Sequence, residues 1–180
     1  IGQLIAGKAQ IQEHAIYGRD FQLLQHRAQF AVVAVHQLDR QTAQHLFGLG
    51  AGAHRGTVRL GSGLLETPYT FKTRFEGAPG TNPEELLGAA HAACFTMALG
   101  ALLTKAGHTP TSIESTAVVH LNKVGEGFSI TGIDLTTRGT VPGSSEAEFR
   151  KLAEDAKATC IVSRALAAVP MTVAATFVGG

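Results

Sequence analysis

Two cysteines, Cys94 and Cys160, are too few for a disulfide framework or a four-cysteine zinc site, but enough for one nucleophile and one resolving thiol. Cys94 lies in Ala-Ala-His-Ala-Ala-Cys-Phe-Thr-Met. An apolar setting of this kind raises a thiol's pKa and suppresses the thiolate, so taken alone Cys94 reads as an inert core cysteine. A helix dipole fades within the first turn and does not rescue a cysteine in mid-helix. A reactive Cys94 therefore needs a cation brought from elsewhere. His91, three residues earlier, can supply one as in a cysteine–histidine hydrolase dyad, or it can simply pack as a neighbour. Arg74 is the other candidate, and alone it reads as a solvated residue at the end of an edge strand. Glu84 reads as an acid favoured by a helix N-terminus. Cys160 is either a plain buried thiol or one near the start of a short helix, where thiolates are favoured.

The elements that must position these groups follow from pattern and punctuation. Arg55–Ser62 and Tyr69–Phe75 read as strands joined by a turn around Gly63 and Pro68. A loop at Gly77–Thr81 leads to a strong helix start, with Asn82 as N-cap, Pro83 at the first helical position and Glu85 completing a capping box. This helix runs to about Lys105 and stops at Gly107, with Pro110 beyond. It is apolar on every face, which predicts a central, fully buried helix. Its uncharged stretch Leu86–Leu103 touches the lower length limit for a membrane span, but it is built mostly of Ala and Gly and carries His91, Cys94 and Thr96. A buried helix in a soluble core is the expectation.

Ile113 to Leu121 alternates apolar and polar residues as a half-buried strand does. A turn at Gly125-Glu126-Gly127 sends it back through Phe128 and Ile130, then Ile133 and Leu135, and the change of parity at Gly132 predicts a β-bulge. Ser145 and Glu148 form a second capping signature, opening a helix to about Thr159. The β-branched residues Thr159, Ile161 and Val162, with Ser163 as a cap, predict a break and then a short helix to Ala168. Met171 to Phe177 alternates as a last strand. The order β-β-α-β-β-α-α-β predicts an α+β domain with helices on one face of a largely antiparallel sheet.

The 180 residues are 44% hydrophobic and 16% charged with a net charge of +1, which excludes a disordered chain and makes nucleic acid a poor partner. Composition breaks near residue 49. All nine glutamines lie between Gln3 and Gln44, and the first 49 residues also hold four of the eight histidines (His14, His26, His36 and His45), whose spacings put no two on a shared helix turn or strand face. Residues 1–49 are expected to be a Gln-rich, helical N-terminal extension of unknown role, and 50–180 the catalytic domain. No basic segment followed by a small-residue cleavage site is evident, so a reducing cytoplasm is expected.

Together these residues are specific. Arg-Phe-Glu-Gly at 74–77, Asn-Pro-Glu-Glu-Leu-Leu-Gly-Ala-Ala-His-Ala-Ala-Cys-Phe at 82–95 and Cys160-Ile-Val-Ser163 resemble the OsmC/Ohr family of organic hydroperoxide reductases. The wording around Cys94 is closer to the OsmC branch, and the resemblance covers about residues 56–180. It implies an OsmC-like fold and a thiol peroxidase of oxidative and osmotic stress defence, with no metal, haem or flavin cofactor. Cys94 matches the peroxidatic cysteine, Cys160 the resolving one, Arg74 the arginine that activates the thiolate, and Glu84 the carboxylate that holds it. It also implies an intertwined homodimer with its sites at the interface, an organic hydroperoxide substrate, a dithiol reductant of lipoyl type, and a Cys94–Cys160 disulfide. No nucleic acid or membrane partner is implied. Two positions depart from the family: Ile161 stands where relatives often have proline, and residues 1–55 lack the usual first strand.

Two other readings remain at this point. One is a Cys94–His91 hydrolase, which needs no second cysteine. The other is a non-catalytic dimer holding lipid-like ligands in an apolar cleft. On a single helix Glu84 and Cys94 lie ~15 Å apart along the axis and roughly 80° apart around it. They cannot share a site directly on one helix. Either Arg74 spans the gap, or the helix begins later than its capping signals, or Arg74 and Glu84 reach Cys94 from the partner subunit. The resemblance to an interface-sited dimer favours the last arrangement.

Overall fold

The computed structural model describes residues 43–50 and 53–180, those before Gly56 as backbone alone. Most of the Gln-rich extension, expected to be helical, lies outside the described residues. Its last residues are not helical. Ala43–Gly50 is a strand, β1, that pairs antiparallel with β2, Ala53–Leu60. A boundary at residue 49 therefore falls inside a strand. The partner that satisfies the backbone groups of β1 comes after it in the chain, and local composition carries no sign of that pairing. β3, Glu66–Thr70, completes a three-stranded sheet in the order β1-β2-β3.

The strand expected to run from Tyr69 to Phe75 ends at Thr70 instead. Phe71–Phe75 is a short helix, α1, with Thr70 as its N-cap. Thr70 Oγ1 accepts from the Thr73 N–H at 3.0 Å, and Thr73 Oγ1 accepts from the Thr70 N–H at 2.9 Å. This reciprocal cap outweighs the strand preference of Thr and Phe. Arg74 accordingly stands on a helical turn. The Thr73 hydroxyl also donates to the Thr81 carbonyl at 2.7 Å, which folds the connecting loop back onto α1.

Helix α2, Pro83–Lys105, begins where its sequence predicts, with Asn82 Oδ1 accepting from the Glu85 N–H at 2.8 Å, but the Glu85 side chain does not close the expected capping box. The Glu85 carboxylate accepts from the Thr81 hydroxyl at 2.9 Å, so it ties the loop to the helix. The second sheet joins β4, Ser112–Val124, antiparallel to β5, Gly127–Thr140, and β5 parallel to β6, Met171–Gly179. His120 pairs with Gly132 and Leu121 with Ile130, leaving Thr131 as the extra residue of a bulge beside the predicted one. Three of the four strand pairings are thus antiparallel, divided between two sheets. The parallel pair needs a crossover, and helices α3, Glu146–Thr159, and α4, Ile161–Ala165, provide it. Phe95, Leu99 and Leu103 of α2 meet Leu135 of β5 and Phe149 of α3 in the core.

Within one chain α2 is not fully buried. Gly88, His91, Phe95, Leu99 and Leu103 form one buried stripe, whereas Met97 is 57% exposed and Ala89 and Ala90 face outward. The helix is long and apolar enough to cross a membrane by length and composition. It packs on β4, α3 and α4 along its buried stripe. Gly88 permits that approach: a Cβ at this position would stand 2.9 Å from the Ala117 carbonyl oxygen of β4.

Gly88→Ala tests the closeness of that packing. Alanine is the better helix former by ~1 kcal/mol. Overpacking against a backbone oxygen costs typically 1–3 kcal/mol, so the melting temperature is expected to fall. A melting temperature equal to or above that of the parent would show that α2 can lift from β4 at no cost.

Candidate active site

Cys94 is partly buried in the middle of α2, and Cys160 is 2% exposed at the junction of α3 and α4. At that junction Cys160 adopts φ −53° and ψ 128°, which ends one helix and starts the next. Its N–H donates to the Ala156 carbonyl at 2.8 Å, and its own carbonyl accepts from the Arg164 N–H at 3.0 Å. The β-branched residues predicted the break at the right place. The short helix begins directly at Ile161, however, and ends at Ala165 instead of Ala168.

The break brings three groups to the Cys94 sulfur: the Cys160 side chain and the main-chain N–H groups of Ile161 and Val162. Burial pushes the Cys94 thiol above its ordinary pKa, and the neighbouring Cys160 adds to the rise, while the two N–H donors pull it down. Burial prevails. Among the described residues no cation acts on this thiol.

Arg74 and Glu84 form a second, separate cluster. Arg74 Nε donates to Glu84 Oε2 at 3.0 Å and Nη2 donates to Oε1, a bidentate pair. The Glu84 side chain is 11% exposed and sits in the first turn of α2, where the helix dipole favours its charge. Nη1 of Arg74 is left for a further acceptor. The guanidinium lies 5.3 Å from the Phe75 ring centroid, and Phe75 meets Phe128 of β5 at 5.0 Å. Ten residues of α2 separate Glu84 from Cys94, ~15 Å along the axis. The structure therefore unites the four expected residues as two pairs, Cys94 with Cys160 and Arg74 with Glu84.

His91 belongs to neither pair. It is fully buried, and its Nε2 is 2.7 Å from the Ser163 Oγ. Burial lowers its pKa, which favours the neutral imidazole. It is bonded to Ser163 and is not among the groups acting on the Cys94 thiol, so no imidazole–thiol contact supports the hydrolase dyad. Ser163, expected as a helix cap, is instead the third residue of α4. Its contact with His91 spans 72 positions, and no local pattern announces it. Among the described residues no three His, Cys, Asp or Glu side chains gather as a metal site requires.

Ile161→Pro isolates one of the two N–H donors. Cys160 already has the extended backbone that precedes proline, and proline suits a first helical position, so α4 should survive. With the N–H gone, the Cys94 titration followed by thiolate absorbance should move to higher pH, and alkylation by iodoacetamide at neutral pH should slow. An unmoved titration would mean that the Ile161 N–H gives the sulfur nothing.

Comparison with known proteins sets this geometry in context. The family model described as OsmC-like protein matches residues 75–174. The peroxiredoxin OsmC of Escherichia coli strain K12 is 56% identical over 115 residues, covering 63% of this chain and 80% of that protein. The organic hydroperoxide resistance protein of Xanthomonas axonopodis pv. citri strain 306 is 34% identical over 90 residues, covering 49% of this chain and 61% of that protein. Among solved structures, an organic hydroperoxide resistance protein OsmC from Legionella pneumophila has a similar fold. Its TM-score is 0.60 at 22% identity, covering 79% of this chain and 98% of that one. An OsmC-like protein of Vibrio cholerae has a TM-score of 0.61 at 16% identity, over 74% and 97% of the two chains.

Proposed function

This chain belongs to the OsmC family, and from that premise we propose that Cys94 is the attacking sulfur and Cys160 the resolving sulfur of its peroxidase reaction. The protein is a thiol-dependent peroxidase that reduces organic hydroperoxides. The observation that supports the assignment of roles is that Cys94 packs against the cluster holding Cys160, with the Cys160 side chain close enough to act on its thiol.

The Cys94 thiolate attacks one oxygen of ROOH and the O–O bond breaks. The departing alkoxide takes a proton and leaves as ROH, while the sulfur, oxidised by two electrons, becomes a sulfenic acid. Cys160, as thiolate, attacks that sulfur. The S–S bond forms, and the sulfenic oxygen leaves with a proton as water. A dithiol reopens the disulfide by two exchanges, returning two electrons and being oxidised to its own disulfide. A lipoyl-type dithiol fits this step, and we place the cycle in the cytoplasm, where such a reductant is kept reduced.

Burial raises the pKa of the Cys94 thiol, and a cation brought to the sulfur would offset that cost. We assign that role to Arg74 of a second copy, held in place by Glu84. A guanidinium stays charged at every accessible pH, and its fork has a limb to spare after binding one carboxylate. The partner copy also answers the outward face of α2, whose alanines and Met97 are otherwise left to water. That apolar wall favours bulky organic peroxides over hydrogen peroxide.

The test is consumption of tert-butyl hydroperoxide, cumene hydroperoxide and hydrogen peroxide, with dithiothreitol or dihydrolipoamide as reductant. Turnover should be fastest with the organic peroxides. Cys94→Ser should abolish it, and Cys160→Ser should give a single oxidation that stalls at the sulfenic acid. No consumption of any peroxide by the reduced protein would overturn the reading.

A mixed dimer tests the composite site. Cys94→Ser subunits combined with Arg74→Ala subunits should regain one working site per heterodimer, although each homodimer is inactive or nearly so. If controlled subunit exchange restores nothing, Arg74 acts within its own chain.

A further inference from the structure

Helices α2 and α4 meet through two rungs. Residues 91 and 94 of α2 stand one helical turn apart, and so do residues 160 and 163 at the start of α4. His91 faces Ser163, and Cys94 faces Cys160, so the two segments run past each other in opposite directions. One rung is a buried hydrogen bond of 2.7 Å, with His91 fully buried and Ser163 3% exposed. The other is the pair of thiols.

The polar rung is costly as an element of stability. Nδ1 of His91 is buried with no hydrogen-bond partner among the described residues, and a neutral imidazole bonded through Nε2 leaves Nδ1 unsatisfied in either tautomer. An unsatisfied buried polar group costs roughly 1–3 kcal/mol, and two apolar side chains of matching shape would fill the site at least as well. Its return lies elsewhere. A disulfide demands an S–S separation of about 2.05 Å and a narrow range of dihedral angles. Two helices held only by apolar contact can slide or rotate past that geometry, whereas a hydrogen bond one turn away fixes their register.

We propose that the His91–Ser163 hydrogen bond is a positioning clamp for the resolving step, holding the Cys160 turn against α2 so that disulfide closure follows sulfenic acid formation without local unfolding. This rests on the assignment of Cys94 and Cys160 to the peroxidase reaction. His91 and Ser163 act through the cysteines and touch no substrate. The clamp governs the second chemical step and leaves the first, the attack on peroxide, largely alone.

The experiment separates the two steps in the full chain. Reduced protein receives one equivalent of cumene hydroperoxide, and peroxide loss, dimedone-trapped sulfenic acid and disulfide are followed with time. Ser163→Ala should lose peroxide at close to the parent rate yet close its disulfide about tenfold more slowly, the scale set by one buried hydrogen bond. Trapped sulfenic acid should rise in step. Ser163→Thr, which keeps the hydroxyl, and His91→Gln, whose amide nitrogen reaches as far as Nε2, should each recover most of the closing rate. The double variant His91→Leu with Ser163→Ala should melt at or above the parent temperature and still close slowly, which a merely structural role does not allow. Closure at the parent rate in Ser163→Ala, with the parent turning over, overturns the clamp alone. A parent protein that consumes no peroxide overturns the peroxidase reading and the clamp together.

Discussion

Burial of Cys94 among alanines raises the free energy of its thiolate, and much of the site's design answers that one electrostatic cost. A mid-helix cysteine has no free N–H of its own helix to turn to, because those around it are spent in the i to i−4 ladder. Donors must arrive from a second element. The break at Cys160 supplies them: where α3 stops and α4 begins, the first N–H groups of α4 lie outside the helical ladder and lower the pKa of the Cys94 thiol. The same break delivers the second thiol. One irregularity in the crossover thus provides both the polar groups that favour the thiolate and the thiol to which the proposed cycle gives the resolving step.

Those contacts do not prevail over burial, and the geometry of α2 keeps the Arg74 guanidinium, anchored to Glu84, away from the Cys94 sulfur of its own chain. Glu84 sits in the first turn and Cys94 two to three turns on, so a guanidinium anchored to Glu84 is held at the wrong end of the helix. The bidentate pair is nevertheless well made, with the carboxylate mostly shielded and the guanidinium over the Phe75 ring. A cation so firmly positioned, beside an apolar helix face that one chain leaves uncovered, is consistent with a site completed by a second copy. The two features have a common remedy: the surface that would cover α2 can also carry the charge.

Capping chemistry made much of this visible in the sequence. Asn82, Pro83 and Ser145 start helices where local rules say, because a cap depends on residues within a turn of each other. The Thr159–Ser163 stretch announced the break, and the parity change at Gly132 announced the bulge to within a residue. The errors fall where the deciding partner is either disguised or distant. Thr70–Phe75 has a strand's composition, but the Thr70–Thr73 reciprocal cap makes it helical, and threonine in place of glutamate hides that motif. β1 is a strand because β2 is there to pair with it, and the Gln-rich composition of its surroundings pointed elsewhere. The complete burial expected of α2 failed because hydrophobicity reports that a face must be covered without saying by which chain. The His91–Ser163 bond joins residues with no sequence relation, and the local pattern offered only a cap and a packing neighbour.

The parallel pairing of β5 with β6 links these points. Antiparallel strands can be joined by a tight hairpin, as β4 and β5 are, but a parallel neighbour requires the chain to cross back over the sheet. The crossover must pack on the same face as α2, since that is where the apolar side chains of β5 point: Ile133 and Leu135 are buried, with Thr137 beside them. Helix α3 meets this requirement with Phe149, Ala153 and Ala156 turned inward, and the last of these stands one turn before Cys160. A crossover constrained to lie against α2 therefore carries whatever follows its buried face to the middle of that helix. The second cysteine reaches Cys94 as a consequence of sheet topology, and its chemistry depends on a chain connection that neither cysteine's neighbours reveal.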